Sequence, residues 1–440
     1  MRSSSAEALW WPHVREARWF QGKGRGGELV STTPLAWLVP PGGDVAVRPE
    51  LAQVAYPDGA SELYQLLVAY RDVRPTDEGA LIGRLDTQWV SDAPRDPEAM
   101  AAVTAVLRHG ATLGDATSGL SVRVVSDLPA GDLTPRWYAG QQSNTNVFLG
   151  AAALVKVFRK LEPGENRDVV ITRRLREAGV GDVPDVYGWV EGRLDGVRYD
   201  LAAVTEQLHD PQDGWGLACE ACRTGTDFTA HAAALGHALA AVHQGLASDQ
   251  TTVPGEVIAD QMSVRLDAAA AAAGALGPYV PALRRCFDAL RGRSVPVQAV
   301  HGDFHLGQTL LTPAGWRIID FEGEPLKSFA ERQAPDSVWR DVAGMTRSIS
   351  YATSAHEDPS SPEALNWLTL TLEAFLRAYC GEQRQVDGDL LSAYEADKAA
   401  YEVVYETRNR PDWVSIPLRA IHHVTGSVTL DGGEQSHAHL

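Results

Sequence analysis

The chain has 440 residues, 44% apolar and 22% charged, and its formal charge at pH 7 is −18. This length exceeds what one hydrophobic core usually supports, so two or three subdomains are expected. The acidic balance argues against nucleic acid and anionic membranes as partners, because both require a basic surface.

The first residues, MRSSSAEALWWPHVREARWF, are interrupted by charge too early for a signal-peptide core. No apolar run approaches the roughly 18 residues of a membrane span. Residues 1–90 mix short apolar stretches with Gly and Pro, as in VPPGGDVAVRP (Val39–Pro49). Within them LAQVAYP and YQLLVAYRD read as strands of a small β-rich subdomain. The polar, proline-containing TQWVSDAPRDPEAM then leads into a helix at MAAVTAVLRHG. Strands follow at LSVRVVSDL, TNVFLG and AALVKVFRKL, then a helix at NRDVVITRRLREAG that Gly179 ends. DVYGWVEG and RYDLAAVTEQL complete an antiparallel sheet, so residues 91–206 form a second subdomain.

From 207 to 440 long helices dominate. Among them are FTAHAAALGHALAAVHQGL, VIADQMSVRLDAAAAAAGALG, LNWLTLTLEAFLRAYC and LLSAYEADKAAYEVVYETR. The alanine run Ala268–Ala273 is helix by propensity. Cys219 and Cys222 form a lone C-x-x-C without a second pair or a His at ligand spacing, which argues against zinc or redox chemistry. Four cysteines do not make a disulfide scaffold, so a cytoplasmic, reduced monomer is expected. The tail TGSVTLDGGEQSHAHL is expected to be poorly ordered, with His437 and His439 in solvent rather than on a metal. A β-rich half followed by a helical half is an α+β, two-lobe layout.

The stretch HGDFHLGQTLLTPAGWRIIDFEGEP (His301–Pro325) carries the chemistry. Phosphoryl transfer from ATP needs a carboxylate for the acceptor hydroxyl, Mg²⁺ ligands, and a lysine that neutralises the phosphates. In the kinase signature a catalytic Asp precedes a metal-binding Asn by five residues, and a second Asp follows in a D-F-G turn. Asp303 precedes Gln308 by that spacing, and Asp320-Phe321-Glu322-Gly323 supplies the second carboxylate. Gln308 keeps an amide carbonyl, a hard oxygen suited to Mg²⁺. His301 is expected to orient the loop, while His305 faces either substrate or solvent. Upstream, Lys156 in ALVKVFRK lies mid-strand between valines. Such a lysine either snorkels to solvent or meets phosphates, and the downstream motif favours phosphates. The polar turn Ser143-Asn144-Thr145-Asn146 could cradle phosphates through its N–H groups and hydroxyls. The helix after the lysine strand offers Glu165 and Asp168 as ion-pair partners, of which Asp168 is the choice. Glu206 and Leu208 then mark the hinge, where backbone groups meet adenine.

HGDFHLGQ, IIDFEGEP, RDVAGMTRS and YETRNRPDW resemble the actinobacterial maltokinases and glucosamine kinases, as does EARWFQGKGR, which resembles the opening of their cap subdomain. The resemblance covers nearly the whole chain. It implies a bilobal, protein-kinase-like fold of the aminoglycoside-phosphotransferase type, with an N-terminal cap and a helical C-terminal lobe. It makes Asp303 the base for a sugar hydroxyl and Gln308 and Asp320 the Mg²⁺ ligands. Lys156 and Ser143–Asn146 would bind the phosphates of ATP. Glu406, Arg408, Asn409, Asp412 and Trp413 would help line the acceptor pocket, where carboxylates and amides suit hydroxyls and an indole suits C–H surfaces. Arg410 and Asp341 are expected to be salt-bridge residues. The chain departs from the family at Val170, near which maltokinases carry a glutamate. HDPQDGWGLACEACRTGTDF is also shorter than its maltokinase counterpart. Both departures favour D-glucosamine, giving D-glucosamine 6-phosphate, over maltose, giving maltose 1-phosphate. A catalytically silent nucleotide- or sugar-binding relative and an aminoglycoside phosphotransferase are the remaining alternatives.

Overall fold

The computed structural model describes residues 5–140, 143–324, 327–382 and 384–428. The tail with His437 and His439, and Pro325 of the DFEGEP motif, lie outside them. The chain divides into two compact units, residues 1–176 with 184–209, and residues 177–183 with 210–440.

The first unit holds two sheets. One runs in the order Glu28–Pro34, Ala46–Ala55, Ser61–Arg71, Gln88–Asp92, Leu81–Leu85, all antiparallel. Ser61–Arg71 is buried on both faces. Leu66, Val68 and Tyr70 pack with Trp10, Trp19 and Phe20, while Leu67 and Ala69 pack toward the second sheet. A strand covered twice reads as a continuous apolar run, which is why YQLLVAY shows no alternation. The N-terminal helix Ser5–Glu16 was not expected from the sequence. Gln88–Asp92, within a stretch that reads as a polar connection, pairs with two strands. Its polar Ser91 and Asp92 are buried on partners that only the folded chain supplies.

The second sheet is antiparallel and seven-stranded. Its order is Ala111–Leu113, Leu120–Val124, Val186–Leu194, Val197–Glu206, Ala153–Val157, Thr145–Leu149, Pro135–Trp137. The helix Pro97–His109, capped by Asp96, and the helix Arg167–Glu177 accompany it. AALVKVFRKL is one extended stretch in sequence but divides in the structure. Ala153–Val157 stays in this sheet, and Lys160–Leu161 pairs with Ser61–Arg71 of the other.

The second unit is helical. Its long helices are Thr229–Gly245, Gly255–Ala272, Trp339–Ala352, Pro362–Cys380 and Gly388–Asn409. The alanine run leaves its helix at Ala273, which is extended with ψ 98°. A small sheet of Gln212–Asp213, Thr309–Thr312 and Gly315–Ile318 presents the motif residues.

Candidate active site

Strand alternation places Lys156. Val155 and Val157 point into the core, so Lys156 lies on the opposite, half-buried face. Its Nζ donates to Asp168 Oδ2 at 2.9 Å. Asp168 sits in the first turn of its helix, its amide capped by Asn166 Oδ1. Glu165, the other carboxylate considered, pairs instead with Arg198 and Arg173. Val170 therefore leaves the lysine with a carboxylate two residues earlier.

The turn beside this strand is fastened from behind. Asn144 Oδ1 accepts from the Arg159 amide, and Thr145 Oγ1 from Arg159 Nε at 2.7 Å. Arg159 is 0% exposed, and its Nη2 meets both oxygens of Asp92 at 2.9 Å. Ser143 is exposed, and Asn146 Oδ1 is buried, without a hydrogen-bond partner among the described residues. At the hinge, the Glu206 amide donates to Asp185 O, and Leu208 follows two residues later. Glu206 lines an open cleft of about 690 Å³ with Arg136, Ala152, Tyr187 and Gln207; Leu208 is not in that lining.

In the second unit, the HGD loop is held by three layers of contact. Asp341 accepts from the amides of His301 (2.6 Å) and Gly302 (2.8 Å), and meets His243 Nε2 at 3.0 Å. It is a loop anchor rather than a partner of Arg410, which bonds Glu406 at 2.8 Å. The buried His301 ring lies 3.0 Å from Ile319 O through Nε2 and accepts from the Asp303 amide at 3.3 Å. Arg340 donates to Gly302 O and pairs with Glu324 and Asp336. His305 turns back on its own loop, its Nδ1 accepting from Gly307, and burial pulls its imidazole below the usual range.

Asp320 lies two residues beyond the strand Gly315–Ile318, with φ +65°, the left-handed region that Asp tolerates better than most side chains. Gln308 Nε2 lies 3.4 Å from Asp320 Oδ2. A cavity of about 360 Å³ opens beside Asp303, lined by Glu324, Lys327, Asp397, Lys398, Tyr401 and Arg408 among others. Of the five residues placed near the acceptor by resemblance, Arg408 lines it. Asn409 bonds back to Tyr405 O, Asp412 and Trp413 form the next turn, and Trp413 lies under Arg410. Glu406 is 2% exposed, and among the described residues its Oε2 has no hydrogen-bond partner. His305 is likewise outside the lining.

Sequence reasoning missed Lys398, whose Nζ lies 3.3 Å from Asp303 Oδ1. The available signal was spacing. Tyr394, Asp397, Lys398, Tyr401, Val404 and Arg408 share one helix face, and all six line the cavity.

Residues 13–96 match the maltokinase N-terminal cap domain, and residues 136–323 match the phosphotransferase enzyme family. A glucosamine kinase of Streptacidiphilus jiangxiensis is 28% identical over 359 residues, 74% of this chain and 80% of that protein. The chain thus carries a maltokinase-type cap ahead of a phosphotransferase domain. It is a sugar kinase. A glucosamine kinase of Mycolicibacterium smegmatis matches this sugar kinase at 28% identity, over 64% of the chain and 77% of the relative. A solved glucosamine kinase in complex with glucosamine, ADP and inorganic phosphate shares the fold. The TM-score is 0.67 at 22% identity, covering 96% of this chain and 98% of that one. The sugar kinase therefore has the α+β, aminoglycoside-phosphotransferase-like fold. Among the described residues, no helix is long and apolar enough to cross a membrane.

Proposed function

We propose that this sugar kinase transfers the γ-phosphoryl group of ATP to D-glucosamine, giving D-glucosamine 6-phosphate and ADP. The 6-hydroxyl oxygen bonds to phosphorus as the bond to the ADP oxygen breaks, and Asp303 takes the hydroxyl proton. Lys156, held by Asp168, and the Ser143–Asn146 turn bind the phosphates, and Glu206 and Leu208 flank adenine. Gln308 and Asp320 suit Mg²⁺, because both offer hard oxygens and their side chains already lie 3.4 Å apart. Rotating the Gln308 amide turns Oε1 to the same place. When bound, the ion neutralises charge on the phosphates.

The observation that carries the acceptor is the cavity beside Asp303, whose lining includes the carboxylates of Glu324 and Asp397. The ammonium of an amino sugar is complementary to such an acidic lining. The two curated relatives support the same acceptor.

A coupled assay of ATP consumption across a sugar panel tests the reading. Glucosamine should exceed maltose by well over about tenfold, a ratio that a site built for one polar group can reach. Equal or reversed rates discard glucosamine. Absence of turnover with every sugar, with Mg·ATP still bound, points to a silent binding protein. Asp303→Asn should lower turnover by about a thousandfold, to a residual rate that remains measurable, while calorimetry finds ATP affinity nearly intact.

A further inference from the structure

The catalytic loop carries no cation of its own. Phe304, His305, Leu306 and Gly307 stand between Asp303 and Gln308. The charge beside Asp303 comes from the helix Gly388–Asn409, where Lys398 Nζ donates to Oδ1 at 3.3 Å. Among the described residues, that bond is the one side-chain hydrogen bond of the Asp303 carboxylate. Without it the carboxylate is free to turn about its last torsion.

Lys398 is not a solvated surface lysine. It lines the cavity with Asp303, Glu324 and Tyr401, its ammonium 5.7 Å from the Tyr401 ring centre. Burial pulls the ammonium down, but Asp303, Glu324 and Glu402 outweigh it and hold it above the usual lysine range. The group is therefore charged wherever the enzyme works. An exposed pair of this length would contribute little; with side chains 28% and 17% exposed, this one is partly buried and still directs the carboxylate.

We propose that Lys398 is the positioning residue of the base: it holds Asp303 Oδ1, so that Oδ2 is presented to the acceptor hydroxyl. This rests on the reading of Asp303 as the group that receives that hydroxyl. The cation reaches the base across 95 residues of sequence, through helix packing alone.

Steady-state kinetics of Lys398→Met, Lys398→Gln and Lys398→Arg tests it with the full chain. Loss of the cation should lower kcat by about a hundredfold, the usual cost of a misplaced reacting group, with both KM values within about threefold of wild type. Lys398→Arg should recover at least about tenfold of that loss, since it keeps the charge. In an Asp303→Asn background, Lys398→Met should cost almost nothing further, because a residue acting through Asp303 has nothing left to position. A merely structural lysine would lower activity equally in both backgrounds. The pair Asp303→Asn with Lys398→Gln leaves no unpaired buried charge, so it keeps the comparison open if Lys398→Met alone does not fold. Wild-type kcat in all three single variants overturns the proposal, as does a raised acceptor KM at unchanged kcat. If the wild type turns over no sugar, the reading of the function fails instead.

Discussion

Asp341 is completely enclosed, and its two oxygens meet the His243 ring and the amides of His301 and Gly302. Burial alone would raise its carboxyl. The His243 and His301 rings and the Gly302 amide outweigh that and hold it at about 2. A carboxyl depressed below its unfolded value of about 3.9 stabilises the fold above that pH and loses the contribution as pH falls through the folded value. The stability of the wild type over Asp341→Asn, from urea unfolding, should be constant above about pH 5 and shrink between about 4 and 2. A gap that widens on acidification contradicts this. The loop is then anchored by one ionised side chain, whose role its sequence position alone does not reveal.

The helix Trp339–Ala352 is the platform under the loop that carries Asp303. Asp341, Gly344 and Ser348 stand at i, i+3 and i+7, on one face, and Ser348 Oγ accepts from the Leu306 amide at 3.1 Å. Gly344 lies directly beneath Phe304, and an added Cβ would come within 2.3 Å of the Phe304 carbonyl oxygen. Alanine favours the helix by about 1 kcal/mol over glycine, but the loop carrying Asp303 must then move. Gly344→Ala should therefore lower kcat by about tenfold or more while ATP affinity is unchanged, since small displacements of a base are costly. Activity within about twofold of wild type would show that the loop yields without consequence. The motif RDVAGMTRS thus owes its glycine and aspartate to one packing contact.

At the scale of the molecule, Lys156 and the Ser143–Asn146 turn belong to one unit, and Asp303, Gln308 and Asp320 to the other. Within the first unit, Arg159 connects the turn to the cap sheet through Asp92, and its guanidinium lies 4.9 Å from the Trp19 ring centre. Removing one partner of a buried pair leaves an uncompensated charge, so Asp92→Asn should cost about 3–5 kcal/mol in urea unfolding. Asp92→Leu combined with Arg159→Met should return most of that loss, because apolar replacement of the whole pair is often neutral. If the single variant costs nothing, the pair does not hold the cap to the nucleotide sheet.

The order of elements, the lysine strand with Asp168, and the offsets joining Asp303, Gln308 and Asp320 were legible in the sequence. They are local. A strand's alternation and a loop's spacing are set within a few residues, and the chemistry demands particular side chains there. Lys398, the anchoring role of Asp341 and the need for Gly344 were decided by tertiary structure. Each depends on a partner dozens of residues away, on another helix or loop. Gln88–Asp92 was hidden for the same reason. Its buried Asp92 looks like a connection until Arg159, 67 residues later, neutralises it. Short-range pattern records what a segment must be, and packing alone records what it must meet.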